Sequence, residues 1–289
     1  MTVWPRSRRR AAKAVPHDPP PTTTTLTRSF PRIRAILGRI QEALRHHAPR
    51  GRETERIGPF LATFTLDTSN PFLNYPIPDD GGIASPADVE SLVAAYQARG
   101  RKPRLEYIPS VAPAVEAVLL AAGFEIEGRL PLMTCETPVF DSPPGIELVA
   151  PSTAEEFGGV AEVQWEAYEE RDPITDSALE GLRRTAHTGG VVVLARDAET
   201  GEPAGAGLCV APSDGVTELA AIGVRERFRR RGIAAAMAGW LAAAALDKGM
   251  SLVFLMAHGA DEARIYARAG FVEQGEVLHI SFSAERSRS

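Results

Sequence analysis

Five arginines fall within seven residues of the segment Val224-Arg225-Glu226-Arg227-Phe228-Arg229-Arg230-Arg231-Gly232-Ile233-Ala234. An apolar run, Glu218 to Val224, ends there and an alanine-rich run begins. If the first run is a strand and the second a helix, the join suits phosphate. The first turn of a helix carries N–H groups without intrahelical acceptors and the positive end of the helix dipole. Gly232 removes a side chain where an anion must approach the backbone, Ala234 keeps the next approach open, and Arg229, Arg230 and Arg231 add charge beside it. A solvated charge run is the commoner meaning of such a cluster. It does not account for arginines lodged between a buried strand and an apolar helix.

Other chemistry is poorly represented. The two cysteines, Cys135 and Cys209, lack metal-ligand spacing and read as small core residues, and their number fits a reducing, cytoplasmic setting. No metal site is expected. Gly205-Ala206-Gly207 begins a dinucleotide-type glycine pattern, but the last position is Val210 and the segment reads as a strand. There is no H-E-x-x-H, paired C-x-x-C or G-x-S-x-G.

Periodicity supplies the elements that must hold the arginine loop. Beyond the turn-forming linker Asp141-Ser142-Pro143-Pro144-Gly145, residues 146–149 predict a strand. Ser152 with Glu155 predicts a capping box opening a helix to about Tyr168, and a second helix spans about 175–186. Strands follow over 191–196, 204–210 and 218–224. A helix over 232–247, a strand over 251–256, a helix over 260–269 and strands to Phe282 complete the order. Upstream, an amphipathic helix is predicted over 32–46, with Ile33, Ile36, Leu37, Ile40 and Leu44 on one face. A strand follows over 60–66, then a helix capped by Ser85 and Asp88. A strand over 105–108, a helix over 112–122 and a strand pair over 124–137, turning near Gly128, close this half.

One ending occurs twice. Ala122-Gly123-Phe124 followed by Gly128 matches Ala269-Gly270-Phe271 followed by Gly275 at a constant offset of 147 residues, each after an amphipathic helix. The chain therefore predicts an internal duplication, with domains at 30–140 and 146–289.

The segment Arg229-x-x-Gly232-x-Ala234 resembles the acetyl-CoA pyrophosphate loop of the GCN5-related N-acetyltransferase (GNAT) superfamily. Glu218-Leu219-Ala220-Ala221-Ile222-Gly223-Val224 resembles that family's fourth strand, and Tyr266-x-x-x-Gly270-Phe271 its second signature. The resemblance implies an α/β fold, a mixed, mostly antiparallel sheet flanked by helices, in two tandem copies of which the first has lost the cofactor loop. It implies an acetyl-CoA-dependent N-acetyltransferase in which a primary amine attacks the thioester directly. Ile222, Val224, Arg229, Arg230, Arg231, Gly232, Ile233, Ala234 and Ala235 would bind the cofactor, with the Val224 N–H polarising the thioester carbonyl. Tyr266 would protonate the departing thiolate, and Glu218 would accept the amine proton. Without the resemblance, Tyr266 reads as a packed helix tyrosine and Glu218 as a strand-end glutamate. An asparagine that family members often carry seven residues before the tyrosine is here Gly259. The acidic loop Glu169-Glu170-Arg171-Asp172 would face the acceptor. A non-catalytic acyl-CoA-binding regulatory module is the alternative.

Composition narrows the partners. Residues 1–29 hold six basic residues against Asp18, a balance of +5, so the rest of the chain carries −10 of the net −5. An acidic body argues against general nucleic-acid binding, and the basic, Pro- and Thr-rich tail reads as disordered. No run approaches the ~20 apolar residues that span a bilayer. The expected partner is a small-molecule or peptide amine, and a homodimer is compatible with this reading.

Overall fold

The computed structural model describes residues 30–66, 68–170 and 172–283. The predicted tail, 1–29, lies outside the described residues, as does Arg171. In chain order the elements are α1 (Phe30–His47), β1 (Glu53–Ile57), β2 (Phe60–Phe64), β3 (Ile77–Pro78), α2 (Pro86–Gln97), β4 (Arg104–Tyr107), α3 (Val115–Ala121) and β5 (Phe124–Cys135). Then come β6 (Ile146–Val149), α4 (Ala154–Ala167), α5 (Asp176–His187), β7 (Val191–Asp197), β8 (Pro203–Cys209) and β9 (Val216–Val224). A single 3-10 turn, Glu226–Phe228, leads to α6 (Ile233–Asp247), β10 (Leu252–Met256), α7 (Ala260–Ala267) and β11 (Phe271–Phe282). None of the described helices is long and apolar enough to cross a membrane.

Eight strands form one sheet in the order β4-β11-β5-β10-β9-β8-β7-β6, and β1, β2 and β3 form a small separate one. Among the described strands only β9 and β10 pair in parallel. The alternation of the pleat sorts the core. Val191, Val193 and Ala195 face α6 and its cluster with Met237, Leu241 and Leu255. Val192 and Leu194 face α4 and α5, through Phe157, Val160 and Leu182. On β10, Leu252 and Phe254 meet Leu37 and Ile40 of α1.

The two halves share this sheet. β5 lies between β10 and β11, although it precedes the linker at 141–145. β5 and β11 are each one bulged strand rather than the predicted strand pairs, and they run antiparallel over their full length, from Phe271 opposite Cys135 to Phe282 opposite Phe124. Their length is what pairing demands: β11 bonds β5 on one edge and β4 on the other.

Local signals shifted elsewhere by small amounts. The capping box of α4 uses Thr153 and Glu156, not Ser152 and Glu155. Glu156 reaches back to the Ser152 and Thr153 N–H groups at 2.7 and 3.1 Å. The Ser85–Asp88 box opens α2 as expected. β1 was not anticipated; its sequence, Glu-Thr-Glu-Arg-Ile, is largely exposed and lacks an apolar alternation.

Candidate active site

Where β9 leaves β10, the sheet opens. The parallel pairing runs through Val216, Thr217 and Glu218 and stops there. Beyond it, two residues of β9 face one of β8 between the pairs Leu208–Ala220 and Ala206–Gly223, a β-bulge. Ala221 sits at its centre with φ +54°, a left-handed conformation that costs a non-glycine residue strain. The buried Gln164 of α4 holds it by donating to the Ala221 carbonyl at 3.3 Å. Glu218, half-buried, therefore stands at the apex of the split.

Two cavities meet in this opening. One, of about 570 Å³, is lined by Gly223, Val224, Phe228, Arg229, Arg230 and the first residues of α6, Gly232 to Ala235. The other, of about 790 Å³, holds Glu218. Ala167, Ile222, Glu262 and Tyr266 line both and form the seam.

The first cavity is lined by helix-start N–H groups and arginines, an arrangement that suits an anion. Gly232 caps α6 at φ +83° and Arg230 lies at φ +61°, so the backbone turns sharply through the loop. The first helical bond runs from the Ala236 N–H to Gly232 O, which leaves the N–H groups of Ile233, Ala234 and Ala235 without intrahelical acceptors. Of the loop arginines, Arg225 is clamped to Glu162 and Glu166 of α4, both at 3.0 Å, and Arg227 pairs with Glu202. These two fix the loop. Arg229, Arg230 and Arg231 are exposed. Arg229 donates to Val224 O at 3.0 Å and lines the cavity with Arg230. Arg231 does not line it: its guanidinium donates to Pro144 O at 3.2 Å and stacks on Phe228. The Arg225 N–H bonds Ala204 O of β8, so strand alternation turns the Val224 N–H the other way, into the split.

At the seam, Tyr266 is buried. Burial raises its pKa well above the ordinary phenol value, and the charges of Glu262 and Tyr168 add to this. It is a protonated donor throughout the working range. Glu262 caps α7, accepting from the His258 N–H at 2.5 Å. Gly259, at the position of the missing asparagine, is the N-cap of α7 and offers no side chain. Burial also pushes up the thiols of Cys135, to about 11, and Cys209, in line with core roles.

The larger cavity includes residues that sequence reasoning did not select. Leu44, His47, Arg50, Arg52, Phe72 and Tyr75 reach it from the first half, with Glu106 of β4. Nothing in their spacing marked them, because the pairing of β4 and β5 with β11, far apart in sequence, is what joins the first half to this cavity. Loop 169–172 behaves otherwise than expected: among the described residues its acids do not line the cavity, and Trp165 fixes it by donating to Asp172 O at 2.6 Å. No group of three or more metal-binding side chains occurs among the described residues.

Residues 157–271 match the model of the acetyltransferase (GNAT) family. A GCN5-related N-acetyltransferase from Kribbella flavida is similar at 25% identity and TM-score 0.70, covering 86% of this chain and 96% of the other. A second from Sphaerobacter thermophilus shares the fold at 16% identity and TM-score 0.60, over 87% and 91%. A tandem GNAT protein from the clavulanic acid biosynthesis pathway shares it at 14% identity and TM-score 0.58, over 85% and 86%. No curated protein matches in sequence. The expected α/β GNAT fold and the likeness of the C-terminal segment are borne out; the family model covers one segment of the chain.

Proposed function

We propose that this chain is an acetyl-CoA-dependent N-acetyltransferase acting on a primary amine, with the opening between β9 and β10 as its active site. The observation that carries this reading is the seam: Tyr266 and Ile222 border an anion cradle on one side and the cavity of Glu218 on the other. The family match over 157–271 supports it.

The cradle fits a pyrophosphate. Backbone N–H groups of Gly232 to Ala235 would hold it, Arg229 and Arg230 would add charge, and Ile222 and Val224 would flank the rest of the cofactor. Arg231 would act through its backbone and by anchoring the loop. When bound, acetyl-CoA supplies a thioester, so that the amine nitrogen bonds the acetyl carbon, the carbon–sulfur bond breaks and the thiol leaves. Glu218, at the apex, takes the proton from the acceptor ammonium, directly or through water. The Val224 N–H donates toward a carbonyl oxygen placed in the split. Tyr266 donates its hydroxyl proton to the sulfur as the carbon–sulfur bond breaks, and burial keeps that proton on the phenol beforehand.

The first half is read as a second, degenerate copy that has lost cofactor binding. The 147-residue offset supports this, as do the matching places of α3–β5 and α7–β11 and the antiparallel pairing of β5 with β11. The cofactor loop has no counterpart there, since the position 147 residues before Arg229 is Gly82.

The test is amine-dependent thiol release from acetyl-CoA. Tyr266→Phe should lower kcat by about 10²-fold or more while leaving acetyl-CoA affinity within a few-fold. Equal loss of both would remove the acid role. Tight binding by the wild type, with no release for any amine, would favour a non-catalytic acyl-CoA module.

A further inference from the structure

The larger cavity is lined by both acids and arginines, and the pair of charges points to the class of acceptor. Glu218, Glu106 and Glu262 lie on its walls, Glu262 at the seam. Arg50, Arg52 and Arg184 line the same cavity and none of them reaches the smaller one. Among the described residues none of these three arginines has a carboxylate within ion-pair distance, whereas Arg45, Arg56, Arg99, Arg104 and Arg129 of the first half all do.

Arg52 is the fixed member. It is half-buried, its guanidinium lies over the Tyr75 ring at 4.9 Å, and it donates to Thr63 Oγ1 at 3.5 Å. Thr63 in turn donates to the Tyr75 carbonyl at 2.8 Å. The loop carrying Tyr75 is held by the fully buried Asn74. Its Oδ1 accepts from the Thr65 N–H, and its Nδ2 donates to the carbonyls of Thr68 and Asn70. Tyr75 lines the cavity beneath the Arg52 guanidinium, and the charges of Arg52, Glu106 and Glu218 all act on its hydroxyl. A guanidinium so positioned presents a planar fork matched to a carboxylate. Arg52, Tyr75 and Glu218 therefore line one cavity, which holds both a guanidinium suited to a carboxylate and the residue proposed to take the amine proton.

We infer that the acceptor is an amino acid-like zwitterion, its carboxylate held by Arg52 and its amine presented to Glu218. This rests on the acetyltransferase reading of the same site and names its substrate class. Arg50 and Arg184 add positive charge to the same cavity, and Phe72 and Tyr75 add aromatic surface to its walls.

The experiment compares free amines with and without a carboxylate. α-Amino acids, β-alanine and 4-aminobutyrate are assayed beside their carboxamides, together with polyamines and aminoglycosides, by acetyl-CoA-dependent thiol release. The best acid should exceed its carboxamide in kcat/KM by about tenfold or more. Arg52→Gln should collapse that ratio toward unity chiefly through KM, with Arg52→Lys intermediate and acetyl-CoA affinity, measured on each variant, serving as the check of folding. Release that is equal or faster with carboxylate-free amines overturns the inference and leaves the acetyltransferase reading standing. So does an acid preference that Arg52→Gln does not reduce. Absence of release with every amine, of either kind, overturns both.

Discussion

His47 lines the larger cavity from the end of α1 and is nine-tenths buried. Its ring bonds the Ala211 backbone, and its Nε2 has no hydrogen-bond partner. Burial, with the nearby Arg50 charge, pushes its pKa down to about 4. The unfolded chain takes this proton near the ordinary value of about 6.5, the folded one only near 4. The contribution is therefore intact above pH 6.5 and is lost as pH falls through that window, by up to roughly 3 kcal/mol. Urea unfolding of wild type and His47→Gln at several pH values checks this. The stability difference between them should shift in favour of the variant as pH drops from about 7 to about 4.5. A difference constant with pH would mean that His47 does not titrate in this way.

At the scale of the element, the bulge in β9 sets the site. Gly223, just past the strained Ala221, lies against the end of α4: a Cβ there would stand 2.7 Å from the Ala167 Cβ, and both residues line the smaller cavity. Gly223→Ala must push α4 from β9, at a cost of about 1–3 kcal/mol, and should weaken acetyl-CoA binding as well. Thermal unfolding with a binding titration reads both, and a variant matching wild type in each would show that the contact yields. The bulge itself was not legible, because bulges are set by pairing partners and Ala221-Ile222-Gly223 carries no turn chemistry. By contrast, Arg229-x-x-Gly232-x-Ala234 was legible, since helix start, glycine and charge are all local signals. Capping residues were legible to within one position, as Thr153 in place of Ser152 illustrates. Tyr75, Arg52 and Glu106 were not, because only the long-range pairing of β4 and β5 with β11 brings them to β9.

The whole molecule depends on that pairing. A chain cut at the 141–145 linker would leave β10 and β11 without β5 between them, exposing two unpaired strand edges. The segment 146–289 expressed alone should therefore aggregate or fail to unfold cooperatively. Co-expressed with 30–140, it should be recovered as a complex that binds acetyl-CoA. A soluble, cooperatively folded 146–289 with wild-type acetyl-CoA affinity would contradict this and make the two segments independent. The same interlocking puts Arg50, Arg52, Phe72 and Tyr75 of the first half on the wall of the cavity that holds Glu218.

The central claim is that the loop before α6 receives acetyl-CoA. Its most direct test is calorimetric titration of the cofactor into wild type and Gly232→Glu. The substitution places a carboxylate at the mouth of the cradle, in open space where the nearest side-chain atom to a Cβ is 4.0 Å away, at a φ of +83° that disfavours any side chain. Wild type should bind in the micromolar range, about −8 kcal/mol, and the variant at least about a hundredfold more weakly. Absence of binding by wild type, or equal binding by a folded Gly232→Glu, would contradict the account.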